Sequence, residues 1–143
     1  MLALSVTARA AAQAGDVAIV VNPNNLVSSL SQAELRKIFA GERLAWPGGA
    51  RIKLLTREPG TRERECLLKL LHMTESEYRE YWKERASYGA DPPVSLPSKG
   101  MEKEAIQAIP GAIAIIDVKD VKAPMRVVKL DGRLPNQSGY ALR

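Results

Sequence analysis

Unbroken apolar runs alternate with amphipathic stretches along this chain, and that alternation predicts its architecture. Val17-Ala18-Ile19-Val20-Val21 has no polar position and stops at Asn22-Pro23-Asn24-Asn25. Such a run, ended by breakers, predicts a strand buried on both faces. Ala112 to Ile116 repeats the pattern, while Ile52 to Thr56 and Arg126 to Leu130 predict two further strands, the last closed by Asp131-Gly132. The helices announce themselves by their starts. Ser31-Gln32-Ala33-Glu34 has capping-box spacing, Leu30 and Leu35 are placed for a hydrophobic staple, and Leu35, Ile38 and Phe39 share one face before Gly41. Thr61 to His72 predicts a second helix that buries Leu67, Leu70 and Leu71. Thr74-Glu75-Ser76-Glu77 caps a third, whose Tyr78, Tyr81 and Trp82 fall at i, i+3, i+4 and read as core. Gly89 to Pro97 reads as a loop with three prolines. A short helix over Lys99 to Ile109 ends at Pro110-Gly111, and Pro135 to Arg143 reads as irregular.

Strands alternating with helices, two of the strands apolar throughout, predict an α/β layer with helices on both faces of the sheet. The strands near 17–21, 51–56 and 112–116 belong to one sheet, with the first and third adjacent or nearly so. The 143 residues suit one domain with a core that needs no staples, placed at 15–143. No apolar run approaches the ~20 residues of a membrane helix, so the body is not membrane-spanning. Residues 1–14 stand apart. Leu2, Ala3, Leu4 and Val6 precede Ala8-Arg9-Ala10 and Ala12-Gln13-Ala14, two small-x-small triplets of the signal-peptidase kind. The positive n-region is missing, and an Ala-rich helix or frayed tail is the alternative. The favoured reading is a signal-peptide remnant cleaved after Ala14.

Charge and chemistry narrow the function. Lys plus Arg number 21 against 16 acidic residues, a net charge of +5, which suits an anionic partner. Between Arg51 and Arg85, however, nine basic residues interleave with seven acidic ones, a mixed solvated surface with no cationic stripe for nucleic acid. One cysteine and one histidine leave no metal-ligand pattern, and no cofactor motif is present. Cys66 reads as a small core residue and His72 as a helix C-cap. Carboxylates such as Glu63 and Glu65 read as helix-surface charges. With no nucleophile–base pair, an enzyme is not expected and no catalytic residue is assigned. Arg57-Glu58-Pro59-Gly60-Thr61-Arg62 is different: it follows a strand and opens a helix, where free N–H groups and the dipole favour an anion. Gly60 permits close backbone approach, Thr61 adds a hydroxyl, and Arg57 or Arg62 can add a bidentate contact. A capped helix with surface ion pairs, Arg57 to Glu58 or Arg62 to Glu65, is the competing account.

Four separated blocks carry a resemblance: Val17 to Asn25, Leu30 to Gly41 with Trp46 downstream, Arg57 to Arg62, and Ile109-Pro110-Gly111-Ala112-Ile113-Ala114-Ile115-Ile116. Their order and spacing resemble the phosphate-type periplasmic substrate-binding proteins of ABC transporters, across nearly all of residues 16–133. The resemblance implies a Rossmann-like three-layer lobe of the type 2 periplasmic binding protein fold, with a mixed, mostly parallel sheet. It also implies an exported, periplasmic chain that takes a phosphate-like oxyanion at Arg57, Gly60, Thr61 and Arg62, with a membrane permease or sensor as partner. Two departures stand out. The family's loop, Arg-x-x-Gly-Ser-Gly-Thr, lacks its Ser-Gly here between Gly60 and Thr61. A full binding protein also has two lobes, whereas this chain resembles the second alone. The alternative is therefore a ligand-free interaction module derived from such a lobe.

Overall fold

In the computed structural model, which describes residues 15–143, strand β1 (Val17–Val21) is buried at every position. The reason is its place in the sheet. With β2 (Ser29–Leu30), β3 (Lys53–Arg57), β4 (Val94–Leu96), β5 (Ala112–Asp117) and β6 (Arg126–Leu130) it forms six strands in the order β2-β6-β1-β5-β3-β4. β1 runs antiparallel to both neighbours, β5 and β6, while the pairs β2–β6, β3–β4 and β3–β5 are parallel. The sheet is thus mixed and mostly parallel, and the first and third predicted strands are adjacent, with Ile19 opposite Ile115. The proposed leader, residues 1–14, lies outside the described residues.

Side-chain alternation divides the core into two layers. Val17, Ile19 and Val21 of β1, with Ile113 and Ile115 of β5, face helices α1 (Gln32–Phe39), α2 (Arg62–Leu71) and α3 (Glu75–Ser87). Ala18 and Val20, with Ala112, Ala114 and Ile116, face the other way, onto Ile106 of α4 (Lys99–Ala108). Helices therefore cover both faces, as the apolar runs require. Both expected capping boxes close: Ser31 Oγ accepts from Glu34 N–H at 3.0 Å and Thr74 Oγ1 from Glu77 N–H at 3.1 Å. The staple residues Leu30 and Leu35 are both buried.

Some boundaries differ from the sequence reading, each for a physical reason. The proline-rich 89–97 segment contains β4, which pairs with β3 alone at the sheet's edge. An edge strand tolerates flanking prolines, because one side of its ladder is open. β2 is the opposite edge, and two residues carry no readable period. β3 runs one residue further than expected, through Arg57. Leu71 and Tyr81 are half-buried, not core. The irregular tail is nonetheless anchored: Tyr140 and Leu142 are buried, and the Tyr140 hydroxyl donates to Val17 O at 2.6 Å.

One glycine fixes how β5 enters the sheet. A Cβ on Gly111 would lie 1.7 Å from Arg51 O, a backbone atom that cannot swing aside. The close approach is fastened by Gly111's carbonyl, which accepts from Lys53 N–H and from Trp46 Nε1, each at 3.0 Å. Gly111→Ala should therefore cost about 2 kcal/mol or more of unfolding free energy by urea titration. Gly48→Ala, where no atom lies within 4 Å, should stay within about 0.5 kcal/mol of wild type. Equal midpoints for the two variants would contradict this account.

Candidate functional site

Three parallel strands, β3, β4 and β5, end at one edge of the sheet, and antiparallel β1 begins there. α2 opens five residues after the end of β3 and α4 three after the end of β4, so both helix N-termini sit at this carboxyl edge. In open α/β sheets this is where ligands bind. Arg57, Gly60, Thr61 and Arg62 all belong to it.

The structure disposes those four residues unequally. Gly60 has φ +91° and open space where a Cβ would stand, so its loop conformation suits glycine and its surface is accessible. Thr61 is the N-cap of α2: its Oγ1 accepts from Arg64 N–H at 3.2 Å and donates to Glu58 O at 2.8 Å. Its hydroxyl is therefore already engaged. Glu65 N–H is taken by Thr61 O at 3.0 Å, which leaves the Arg62 and Glu63 N–H groups without an acceptor among the described residues. The Arg62 guanidinium donates to Gly15 O.

Arg57 turns inward. It is 8% exposed, its Nη1 lies 3.7 Å from Glu63 Oε2, and its Nε donates to Leu96 O at 3.3 Å. The expected surface pair of Arg57 with Glu58 is replaced by this buried one, and Arg62 turns to Gly15 O in place of Glu65. Beneath it, a void of about 10 Å³ lined by Arg57, Glu63, Leu55 and Ile115 has room for no more than one water molecule.

The sequence reading missed three carboxylates or their roles. Glu63 is buried, not a surface charge. Glu102, in the first turn of α4, is 1% exposed, and its Oε2 has no hydrogen-bond partner among the described residues. Burial, then the negative charge of Glu63, push the Glu102 carboxyl up to about 8, against the opposing pull of Arg57; Asp120 adds a smaller upward push. The i, i+4 spacing of Glu102 with buried Ile106 carries the signal that could have found it. Asp16 ties the tail to the same edge, accepting from Asn136 N–H and pairing with Arg143 Nε at 3.1 Å. Arg64 works in the scaffold: it forks onto Glu75 at 3.0 and 2.9 Å, donates to Arg57 O at 2.8 Å, and lies over the Tyr78 ring. His72 caps α2 in the left-handed region at φ 57°, and Cys66 is buried, its thiol pushed up by desolvation. Among the described residues, no helix is long and apolar enough to cross a membrane.

Comparison with known proteins agrees with this architecture. The family model for the PBP superfamily domain matches residues 9–139. A search of curated proteins finds no match. Among solved structures, a Clostridium perfringens protein assigned as a phosphate ABC transporter substrate-binding protein, with bound phosphate, is similar at TM-score 0.68 and 22% identity. That match covers 83% of this chain and 46% of the other. An ABC-type phosphate transport receptor from Vibrio cholerae gives TM-score 0.66 at 22% identity, covering 82% and 46%. PstS from Borrelia burgdorferi gives 0.67 at 16%, covering 90% and 54%. At these identities the likeness establishes the fold, and the chain spans about half the length of these relatives.

The buried carboxyl makes stability depend on pH. Glu102 holds its proton to about 8 in the folded chain, whereas an unfolded glutamate ionises near about 4.3. The folded state binds that proton more tightly, so the contribution is full below the unfolded value and lost as pH rises towards about 8. Glu102→Gln keeps the shape and removes the titration. The urea midpoint of wild type should fall between about pH 5 and about pH 8 by more than that of Glu102→Gln. Parallel pH profiles would refute it.

Proposed function

The chain belongs to the PBP superfamily, and from that premise we propose that it binds phosphate or a related oxyanion at the carboxyl edge of its sheet, without turning it over. In this reading residues 15–143 act as one exported domain after cleavage at Ala14. The domain serves a membrane permease or an associated sensor. The observation that carries the proposal is the start of α2. Its Arg62 and Glu63 N–H groups are open beside the uncrowded Gly60, where the helix's partial positive charge adds to Arg62 and to Arg57 behind it. The phosphate bound to the structurally similar Clostridium protein supports that ligand class. Gly60 is exposed and would leave the anion partly in water, so binding by this lobe should be salt-sensitive.

A specific feature favours a second reading, an interaction module that has lost its ligand. Arg57 already faces an internal anion, Glu63, at 3.7 Å, and an incoming oxyanion must share or displace that carboxylate.

Calorimetric titration with phosphate and sulfate distinguishes the two. Arg57→Ala alone would strand Glu63 in a buried site, at a cost of about 3–5 kcal/mol in stability, so both residues should be varied. Glu63→Gln leaves Arg57 as the unpaired charge, at a similar cost in stability, and should tighten phosphate binding about tenfold by freeing the guanidinium. Arg57→Gln added to it should weaken binding by roughly 10- to 100-fold, the value of a charge-assisted hydrogen bond. Thr61→Ala should cost about 1 kcal/mol of stability through the lost cap and leave the backbone donors in place. If wild type and Glu63→Gln both give neither heat nor a rise in Tm, the oxyanion reading fails and the module reading is favoured.

A further inference from the structure

A second concavity lies at the opposite end of the sheet. It encloses about 410 Å³ where Ile52 leads into β3 and Asp91 precedes β4, roughly 15 Å along the strand from Arg57. Ile38, Leu54 and Trp82, all buried, form its floor. Two large apolar side chains stand at its mouth in water, Leu44 at 57% and Tyr88 at 85% exposure. Three arginines line it: Arg43, Arg51 and Arg85.

The charge of this groove is not balanced from within. Its one acidic lining residue, Asp91, is paired with Lys53 at 3.2 Å. Arg43 sits 3.9 Å from Glu34, a distant and half-exposed pair, and rests over the Trp46 ring. Arg51 is exposed and forms no ion pair among the described residues. Arg85 lies against Tyr81 and Trp82 and donates Nη2 to Gly41 O at 3.1 Å, while its buried Nε has no acceptor among the described residues. This contrasts with the carboxyl edge, where Arg57 and Arg64 each face a carboxylate.

An apolar floor, exposed aromatic and aliphatic lips and unneutralised guanidinium groups select one ligand chemistry. We propose that the groove between α1, α3 and the amino ends of β3 and β4 is a second ligand site, for a small organic acid with an apolar body. The volume suits a small molecule, being within the usual range of roughly 300–1,000 Å³. The acid group meets Arg51 and Arg85, whose planar forks match a carboxylate. The apolar body covers Leu54 and Trp82, and Tyr88 and Leu44 close over it, which removes apolar surface from water. An inorganic oxyanion lacks that body and gains nothing from the floor, so this site and the carboxyl edge differ in what they take.

The test uses 2-naphthoate, with neutral 2-naphthalenemethanol and cationic 2-naphthylmethylammonium as matched probes, followed by amide chemical shifts and calorimetry. Naphthoate should bind at least about tenfold tighter than either analogue and shift the amides of Leu44, Gly89 and Ala90. Arg51→Gln, at an exposed position that leaves the fold intact, should weaken naphthoate about tenfold. Arg85→Lys should weaken it further, and saturating phosphate should not compete. Equal binding of the three probes, shifts centred elsewhere, unchanged affinity in Arg51→Gln, or no binding at millimolar probe would each overturn the proposal. Phosphate competition would place naphthoate at the carboxyl edge and overturn it likewise.

Discussion

The central strand pair β1–β5 is covered on both faces, and the other elements are arranged around that constraint. A strand buried on two sides has no position for a polar side chain, and its backbone groups must all be paired within the sheet. β1 meets this with five apolar residues and β5 with five before Asp117. Each face then needs its own cover, so α1, α2 and α3 pack on one and α4 on the other. Entry into β5 must be tight to keep the register of Ile115 with Ile19, and the contact between Gly111 and Arg51 O supplies it. Trp46 locks that contact through its indole N–H and so couples the turn after α1 to the centre of the sheet.

Burial of charge at the carboxyl edge follows from the same packing. α2 and α4 each lie against the sheet from their first turns, so residues near their N-termini are enclosed with the helix ends. Negative side chains are favoured there by the helix dipole, and Glu63 and Glu102 both occupy such positions. Two buried carboxyls close to one guanidinium cannot both ionise cheaply, because removing a charge from water costs several kcal/mol unless it is paired. Glu63 takes Arg57, and Glu102 keeps its proton. Arg57, Glu63 and Glu102 therefore balance their charges among themselves before any ligand arrives.

This division of labour explains which parts of the molecule were legible in the sequence. β1, β5 and β6 could be read because period and apolarity are properties of the strands themselves, and the caps at Ser31 and Thr74 because their bonds span three residues. β2 and β4 could not: they exist through pairing with β6 and β3, whose partners lie far away in sequence. At the site, the position of Arg57 at a strand end was readable, but its direction was not. A guanidinium at that position can reach solvent or the core, and here it turns to Glu63 and the Leu96 carbonyl. Glu102 was hidden by a prior that is usually sound, that a glutamate in a first helical turn faces water.

The two ends of the sheet thus solve opposite electrostatic problems with the same residue type. At the carboxyl edge Arg57 and Arg64 are buried, and burial demands a carboxylate partner for each: Glu63 for Arg57 and Glu75 for Arg64. At the amino end Arg51 stands in water, which solvates it, Arg43 is half-buried over the Trp46 ring with only the distant Glu34 beside it, and Arg85 shelters on aromatic faces, where a cation is tolerated. A solvated guanidinium can exchange water for a ligand's acid group at little cost, whereas one held by a buried carboxylate must first lose that contact. The open helix N-terminus at Arg62 and Glu63 is the part of the carboxyl edge that escapes this penalty, since its N–H groups are polar but carry no formal charge to be neutralised within the fold. On the two proposals made above, an oxyanion at that edge draws first on these N–H groups and gains Arg57 only as Glu63 yields it, whereas a ligand at the other end gains by the apolar surface it brings.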